Sequence, residues 1–353
     1  MPQSDNFEAP LDKSDNQIAE FDEFSYSILQ RIQRFLHDNA AMVPVIILVM
    51  SIVAFGFFAG GRFFSLFNLS LIMQQVAIVG ILASAQTLII LTAGIDLSVA
   101  AIMVLSYVVM GKLAVEYGVP APLAIGAGML VAIAAGAING FFVTKVKMPP
   151  FIVTLGTWQI FLAVVYLYTG SQSIRSQDID ATAPLLKFFG ERVNISGAVF
   201  TYGVVLMIVV FVVLWYMLNR TSWGRHVYAV GDDKEAADLS GIRSDRLLLS
   251  VYALAGLICG IAAWAAIGRV GSVSPNSFVD ANLGSITAVV IGGTSLFGGR
   301  GAIFGSLFGA LIVGVFSSGL KLAGADPQWE LFAIGWLIIA AVALDQWIRR
   351  VSA

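Results

Sequence analysis

The sequence predicts an all-α integral membrane protein with about ten transmembrane helices. Of its 353 residues, 58% are hydrophobic and only 12% are charged, about half of the roughly 25% charged fraction of ordinary soluble domains. The mean hydropathy is +0.86, and the apolar residues form long runs after residue 40. A soluble protein with so few charges would expose large apolar patches to water. The chain is therefore expected to have lipid as its main solvent.

Residues 1–40 form an acidic segment that differs from the rest of the chain. They hold eight Asp and Glu residues against three Lys and Arg residues. The first long apolar run begins only near Ala41, which is not the pattern of a secretory signal, so we expect this segment to stay in the cytoplasm. Its second half fits either a short helix at the membrane surface or a disordered tail. Its apolar residues at helical spacing are Phe24, Ile28, Ile32, Phe35 and Leu36, with Arg31 and Arg34 between them.

Residues 41–348 form the predicted transmembrane domain. A span needs about 20 apolar residues, and ten such runs fit: 41–60, 71–90, 97–117, 121–144, 150–170, 198–219, 248–268, 284–299, 301–320 and 328–348. The division of 284–320 stays open, because glycines interrupt an otherwise continuous run. Either two spans or a re-entrant segment would fit this stretch.

Charge predicts the orientation of the spans. With residues 1–40 inside and ten spans, 13 of the 20 Lys and Arg residues fall on the inner side. This excess follows the positive-inside rule, so both termini, including residues 349–353, are expected in the cytoplasm. Two hydrophilic connections result, one outside over 171–197 and one inside over 220–247.

Small residues four apart predict close helix crossings. They occur as Gly136 with Gly140, Gly256 with Gly260, and Gly301 with Gly305 and Gly309. Glycines at this spacing let helix backbones approach each other, which indicates a packed bundle and no particular activity.

The sequence lacks the usual patterns of catalysis and cofactor binding. It has no phosphate-binding loop of the G-x-x-x-x-G-K-[ST] type, so ATP hydrolysis is not expected on this chain. His37 and His226 have no partners at metal-ligand spacing, and no cofactor or metal is expected. The absence of a basic stripe argues against nucleic acid as a partner.

The inner loop contains a short helix pattern with both ends marked. Asp232 or Asp233 can cap the first turn, and Gly241 can take the left-handed conformation after the last turn. The expected apolar face consists of Ala236, Ala237, Leu239 and Ile242. This pattern fits either a helix that inserts into a groove of another protein or a solvated connection.

With these motifs the chain resembles the permease subunits of bacterial ATP-binding cassette importers for monosaccharides, over about residues 41–348. Glu235, Ala236, Ala237 and Gly241 match the EAA-type motif by which such permeases dock on their ATPase subunits. Other matching stretches are 91–99 (LTAGIDLSV), 149–157 (PPFIVTLGT) and 291–301 (IGGTSLFGGRG). Within the family, the sequence is most similar to fructose-import permeases.

The resemblance implies a bacterial inner-membrane transport subunit for a fructose- or ribose-like sugar. It implies an ATPase subunit, a periplasmic sugar-binding protein and a second permease copy as partners, with lipid around the helices.

Polar residues inside apolar runs are the candidates for the sugar pathway, because sugars are recognised by polar groups and aromatic faces. They are Gln86, Thr87, Asp96, Asn139, Thr154, Thr157 and Trp158. Hydrogen bonding between helices would explain each of them equally well. Asp96 can also be a cap for a helix beginning at Leu97, because an uncompensated charge at mid-bilayer costs about 3 kcal/mol.

Two other functions remain open at this point. An ion-coupled secondary transporter would use Asp96 as its coupling carboxylate, and its transport would not need ATP. A membrane enzyme would need clustered His, Asp or Glu at one membrane face, which the sequence does not offer.

Overall fold

A computed structural model describes residues 42–349 apart from positions 196 and 279. The expected interfacial helix within residues 1–40 lies outside the described residues, as do residues 350–353. The described chain is a helical bundle with one small β-hairpin. The predicted all-α membrane class is confirmed.

The helices follow the predicted runs with shifted ends. They are α1 (Met42–Ala59), α2 (Leu66–Leu91), α3 (Val99–Val115), α4 (Ala121–Thr144), α5 (Pro150–Thr169), α6 (Ser176–Thr182), α7 (Tyr202–Arg220), α8 (Ser222–Asp232), α9 (Lys234–Leu239), α10 (Ser244–Val270), α11 (Ala281–Ile291), α12 (Ile303–Leu322) and α13 (Pro327–Arg349). Short 3-10 helices cover Gly60–Arg62 and Pro184–Gly190.

Seven helices of the described chain are long and apolar enough to cross a membrane. They are α2, α4, α5, α7, α10 and α12, together with α1 continued through Arg62. Helices α3, α11 and the apolar part of α13 are shorter. At 1.5 Å per residue, the 11 residues of α11 extend only about 16 Å, too short for a bilayer core of about 30 Å. The stretch 284–320 therefore contains one short helix, a glycine-rich loop and one long helix.

The predicted span at 198–219 begins later, at Tyr202, because its first residues form a strand. Strand β2 (Ala198–Thr201) pairs antiparallel with β1 (Arg192–Ile195). The predicted hydrophilic connection 171–197 is thus partly folded, and its apolar side chains Ile179 and Leu186 are fully buried.

The loops gather at two ends of the bundle. At the end we call the coupling end, the Gly299 N–H donates to the Leu91 carbonyl (3.0 Å), and the α4–α5 turn shares a groove with α9. At the opposite hairpin end, the Ser70 hydroxyl accepts a hydrogen bond from the Val199 N–H (3.1 Å). Helix α2 therefore runs from the hairpin end to the coupling end.

Glycines allow the closest helix crossings, as the small-residue pattern predicts. A Cβ at Gly136 would lie 2.3 Å from the Tyr252 carbonyl oxygen, and one at Gly256 would lie 2.3 Å from the Ala132 carbonyl oxygen. The backbones of α4 and α10 therefore touch at this crossing. A Cβ at Gly309 would lie 1.9 Å from the Ala288 carbonyl oxygen, so α11 and α12 are packed equally closely.

Candidate functional site

The first candidate site is the buried loop 92–98 between α2 and α3. Loop backbone inside a membrane bundle must find hydrogen-bond partners within the protein, because lipid offers none. Gly94 gives the loop room, since a Cβ there would lie 3.1 Å from the Tyr252 hydroxyl and 3.3 Å from the Ile89 carbonyl oxygen. The loop therefore passes very close to α10.

Asp96 is held by short-range hydrogen bonds. One of its carboxylate oxygens accepts from both the N–H and the hydroxyl of Ser98, each at 2.6 Å. The other lies 3.4 Å from the Asn139 amide nitrogen, which also donates to the Ser98 hydroxyl at 2.7 Å. Helix α3 begins at Val99 and not at Leu97, with Ser98 as its N-cap residue. Asp96 thus holds the turn that leads into α3.

Two more of the predicted residues tie this loop to neighbouring helices. The Gln86 amide takes the orientation that satisfies the backbone groups of Asp96. Its nitrogen then donates to the Asp96 carbonyl (3.1 Å), and its oxygen accepts from the Asp96 N–H (3.3 Å). The Thr154 hydroxyl donates to the Ile95 carbonyl (3.1 Å). Helices α2, α4 and α5 therefore hold the same loop, through Gln86, Asn139 and Thr154.

The remaining three predicted residues do not contact this loop through hydrogen bonds. The Thr87 and Ser306 hydroxyls are hydrogen-bonded to each other (2.7 Å), which joins α2 to α12. Thr157 is buried, and its hydroxyl lies 3.4 Å from the Thr154 carbonyl oxygen. Trp158 is half-buried, and its indole N–H has no hydrogen-bond partner within the described structure.

Two polar residues of this region were missed by the sequence reasoning. The Asn282 amide oxygen accepts from the Ala100 N–H (2.7 Å), so the start of α11 meets the start of α3. Asn282 stands just before an apolar run, where a polar capping residue is common. The sequence prediction overlooked it because the predicted span began at 284. Tyr252 is 1% exposed and its hydroxyl has no partner among the described residues. Nothing in the apolar run around Tyr252 distinguishes it.

The second candidate site is the segment 221–243, which forms α8 and α9. Asp233 caps α9, because its carboxylate accepts from the N–H groups of Glu235 (2.9 Å) and Ala236 (3.0 Å). Gly241 follows the helix with φ +86°. The predicted cap and left-handed glycine are both confirmed.

The apolar face predicted for α9 is divided between two directions. Ala237 is buried and Ile242 is half-buried, so both pack toward the bundle. Glu235, Ala236 and Leu239 are all exposed, Leu239 by 90%. The Lys234 ammonium pairs with the Asp245 carboxylate (3.2 Å), which fixes α9 to the first turn of α10. The exposed surface of α9 is thus a small, positioned patch.

Glycines join the end of α8 to the loops of the bundle. A Cβ at Gly231 would lie 1.8 Å from the Leu91 carbonyl oxygen and 2.7 Å from the Gly299 nitrogen. Gly298 and Gly299 have φ of +84° and +67°, a conformation that suits glycine. A Cβ at Gly299 would lie 2.8 Å from the Asp232 Cα. We call Leu91, Gly231, Gly298 and Gly299 the glycine junction.

A hydrogen bond reinforces this junction. The Tyr228 hydroxyl donates to the Gly301 carbonyl (3.0 Å). Burial raises the pKa of the Tyr228 phenol further above neutral pH, where the protonated group donates this hydrogen bond. The segment that carries α9 is therefore in direct contact with the start of the loop 92–98 and with the glycine-rich loop after α11.

A groove of about 450 Å³ lies between one side of α9 and the α4–α5 turn. It is lined by Thr92, Gly94, Val143, Lys147, Met148, Pro149, Pro150, Lys234, Glu235, Asp238, Leu248 and Tyr252. The groove leaves open space beside Lys234, Glu235 and Asp238 of α9, whereas the backbones of the glycine junction are in direct contact.

Charge differs between the two ends of the described bundle. The coupling end carries eight Lys and Arg residues against five Asp and Glu residues: Lys145, Lys147, Arg220, Arg225, Lys234, Arg243, Arg246 and Arg300 against Asp232, Asp233, Glu235, Asp238 and Asp245. The hairpin end is nearly balanced: Arg62, Lys112, Arg175, Lys187, Arg192, Arg269 and Lys321 against Glu116, Asp178, Asp180, Glu191, Asp326 and Glu330. Among the described residues there is no cluster of His, Cys, Asp and Glu that could hold a metal ion.

Comparison with known proteins defines the class of this chain. Residues 68–342 match the family described as the permease component of the branched-chain amino acid transport system. The chain belongs to this permease family. It is a multi-pass inner-membrane transport component and not an enzyme.

The similar proteins are import permeases. The fructose import permease protein FrcC of Rhizobium meliloti is 59% identical over 350 residues, covering 99% of this chain and 97% of that protein. The ribose import permease protein RbsC of Bacillus subtilis is 37% identical and covers 90% of this chain and 97% of that protein. The xylose transport system permease protein XylH of Escherichia coli is 30% identical, with coverage of 88% and 92%. No solved structure gave a significant match.

These relatives confirm the predicted permease subunit of an ATP-binding cassette importer. Such a subunit implies separate ATPase and substrate-binding partners. The interpretation as an ion-coupled secondary transporter is not supported, because the matching family consists of permease components.

Proposed function

We propose that this chain moves a monosaccharide into the cell and that fructose is its preferred substrate. The observation that carries the proposal is the 59% identity to a fructose import permease over nearly the whole of both chains. Identity to the ribose and xylose permeases is far lower, at 37% and 30%. A difference of this size over matched lengths favours fructose over the two pentoses.

The proposed orientation places the coupling end in the cytoplasm. With both termini on this side, its eight Lys and Arg residues are joined by Lys13, Arg31, Arg34, Arg349 and Arg350, which gives 13 of the 20 Lys and Arg residues on the inner side, as the positive-inside rule requires. The segment 171–201, with its hairpin, then faces the periplasm and the sugar-binding protein. Both termini face the cytoplasm if the chain crosses the membrane ten times.

The proposed ATPase contact is the exposed surface of α9. Glu235, Ala236 and Leu239 are exposed, with Glu235 at the groove, and Leu239 offers an apolar side chain that a partner could bury. The other two residues of the motif have structural roles. Ala237 packs against the bundle, and Gly241 ends the helix. The Asp233 cap and the Lys234–Asp245 pair hold this six-residue helix in place. It can therefore pass a movement of the ATPase on to the permease.

We propose that the movement of α9 reaches the sugar pathway through the glycine junction. Helix α8 contacts Leu91 and Gly299 without intervening side chains, so little movement is lost in side-chain rearrangement. Leu91 leads directly into the loop 92–98, which Gln86, Asn139 and Thr154 hold. Asp96 thereby has a structural role, whereas Thr157 and Trp158 on α5 are the better candidates for sugar contact. We further propose that two permease copies form the pathway, surrounded by lipid.

Uptake of labelled sugars by cells tests the substrate. A strain lacking this chain should lose ATP-dependent fructose uptake and regain it on re-expression, and unlabelled fructose should compete better than ribose, allose or xylose. Uptake should persist when a protonophore dissipates the ion gradient while ATP is maintained. Fructose uptake that is unchanged in the deletion strain while ribose uptake is lost would overturn the assignment.

A further inference from the structure

The groove between α9 and the α4–α5 turn has the size and lining of a small-molecule site. Its volume of about 450 Å³ lies within the roughly 300–1,000 Å³ of ordinary ligand pockets. Exposed charged side chains line its mouth: Lys147, Lys234, Glu235 and Asp238. Buried residues line its inner part: Thr92, Val143, Leu248 and Tyr252. The groove is therefore a cleft with a charged mouth and a mostly apolar inner wall.

The charges at the mouth of the groove balance each other. The ammonium groups of Lys147 and Lys234 stand with the carboxylates of Glu235 and Asp238. Lys234 is paired with Asp245, whereas Lys147 and Glu235 make no ion pair within the described residues. A lining of zero net charge with both donors and acceptors favours a neutral, hydroxyl-rich ligand over an anion or a cation.

A buried hydroxyl without a partner lies at the inner end of the groove. Tyr252 is 1% exposed, and its hydroxyl makes no hydrogen bond within the part of the chain that the structure describes. Gly94, which also lines the groove, lies beside it: a Cβ there would be 3.1 Å from the hydroxyl oxygen. Glycine places no side chain between this hydroxyl and the groove, so a ligand hydroxyl can supply the missing partner. Pairing a buried polar group that was unpaired is favourable, which makes this hydroxyl the feature that points to a ligand.

The two walls of the groove belong to different parts of the coupling end. Helix α9 provides Lys234, Glu235 and Asp238, whereas the α4–α5 turn provides Lys147 and Met148. A ligand that bonds to both walls joins α9 to the turn. It therefore opposes any movement of α9 relative to the bundle.

We propose that the groove binds the transported sugar on the cytoplasmic side and that its occupancy slows further import. A monosaccharide is neutral and carries hydroxyls around its ring, so it can donate to Glu235, accept from Lys147 and pair with the Tyr252 hydroxyl. The proposal rests on the proposed function for the identity of the sugar and for the cytoplasmic location of the coupling end. Sugar that accumulates in the cell thereby reduces its own import.

Cysteine protection tests where the sugar binds. The chain has one cysteine, Cys259, which is fully buried, so an introduced cysteine is the accessible thiol of the permease. Met148 lines the groove without offering a polar group to the sugar, whereas the exposed Lys145 on the same turn does not line it. We expect millimolar fructose to slow thiol labelling of Met148→Cys in the permease–ATPase complex at least about fivefold, because only the unoccupied groove reacts. Labelling of Lys145→Cys is the matched control and should not change.

A second substitution relates the protection to the buried hydroxyl. In the Met148→Cys background, Tyr252→Phe removes only an unpaired hydroxyl, so the fold should be retained. The fructose concentration for half protection should rise about fivefold, the effect of losing one hydrogen bond. Tyr216→Phe is the matched control, because Tyr216 is exposed on α7 and does not line the groove. It should leave this concentration unchanged.

Four results would overturn the site. They are no protection by fructose, ribose, allose or xylose, equal protection of Met148→Cys and Lys145→Cys, an unchanged half-protection concentration in Tyr252→Phe, and protection by a phosphorylated sugar alone. Complete protection of Met148→Cys without any sugar would also overturn it, because the ATPase would then fill the groove.

Import into proteoliposomes tests the effect on transport. The vesicles contain ATP, and the sugar-binding protein and labelled fructose are outside. Initial uptake should fall at least about twofold when the lumen is loaded with unlabelled fructose at half-saturation of the groove or above, and Tyr252→Phe should need more lumenal fructose for the same fall. Unchanged or faster uptake in loaded vesicles would refute the inhibition.

Empty vesicles separate this proposal from the assigned substrate. Normal fructose uptake without protection of Met148→Cys would overturn the groove site alone. Uptake of another sugar in place of fructose would overturn the substrate alone, and that sugar should then protect Met148→Cys.

Discussion

Replacement of Gly231 by alanine is the sharpest test of the glycine junction. The new Cβ would lie 1.8 Å from the Leu91 carbonyl oxygen and 2.7 Å from the Gly299 nitrogen. Real Cβ contacts with backbone are essentially never below 3.0 Å, so α8 must move away from α2 by about 1 Å. Neighbours in this contact are backbone atoms, which cannot relieve it by rotating a side chain.

The expected energetic effect is moderate, and the expected functional effect is large. Overpacking of this kind costs about 1–3 kcal/mol, which a bundle of this size tolerates while the variant still reaches the membrane. The movement stretches the Gly299–Leu91 hydrogen bond of 3.0 Å. It leaves the exposed patch of Glu235 and Leu239 unchanged. We therefore expect the ATPase to co-purify normally while sugar uptake falls at least about tenfold.

A matched control separates this effect from glycine replacement in general. A Cβ at Gly156 on α5 would have no neighbouring atom within 4 Å, so Gly156→Ala should keep normal uptake and stability. The assay compares uptake, ATPase co-purification and thermal stability in detergent for both variants. Normal uptake by Gly231→Ala, or parallel loss of uptake and co-purification, would refute transmission through the junction.

Three further predictions concern the two candidate sites and the orientation. Single cysteines near Asp180 should react with an impermeant thiol reagent from outside the cell, and those near Asp233 only after the inner face is opened; the reverse pattern would invert the topology. Asp96→Asn should keep the Ser98 contact but place its amide nitrogen against that of Asn139. This should cost about 1 kcal/mol of stability and cause a modest loss of uptake. Complete loss of uptake with normal thermal stability would favour a direct transport role. Glu235→Lys should weaken ATPase co-purification without lowering the amount of permease in the membrane, and unchanged co-purification would exclude this face as the contact.

The sequence by itself determined the membrane class and the positions of most helices. Long apolar runs are sufficient for this, because a bilayer requires about 20 apolar residues for each span. The ends of α9 were also readable, since an Asp cap and a left-handed glycine are local features confined to a few residues. The sequence left the stretch 284–320 open between two spans and a re-entrant segment, because its glycines are compatible with a break at several positions.

Only the tertiary structure decided which polar residues belong together. Gln86, Asn139 and Thr154 are far apart in sequence but hold one loop, whereas Thr87, next to Gln86, faces α12. Neighbouring residues on a helix point about 100° apart, so sequence proximity does not group them. The junction of Leu91, Gly231 and Gly299 likewise depends on three separate segments whose backbones meet only after the bundle has packed. Contacts between backbones leave no pattern of side chains from which the sequence could have predicted them.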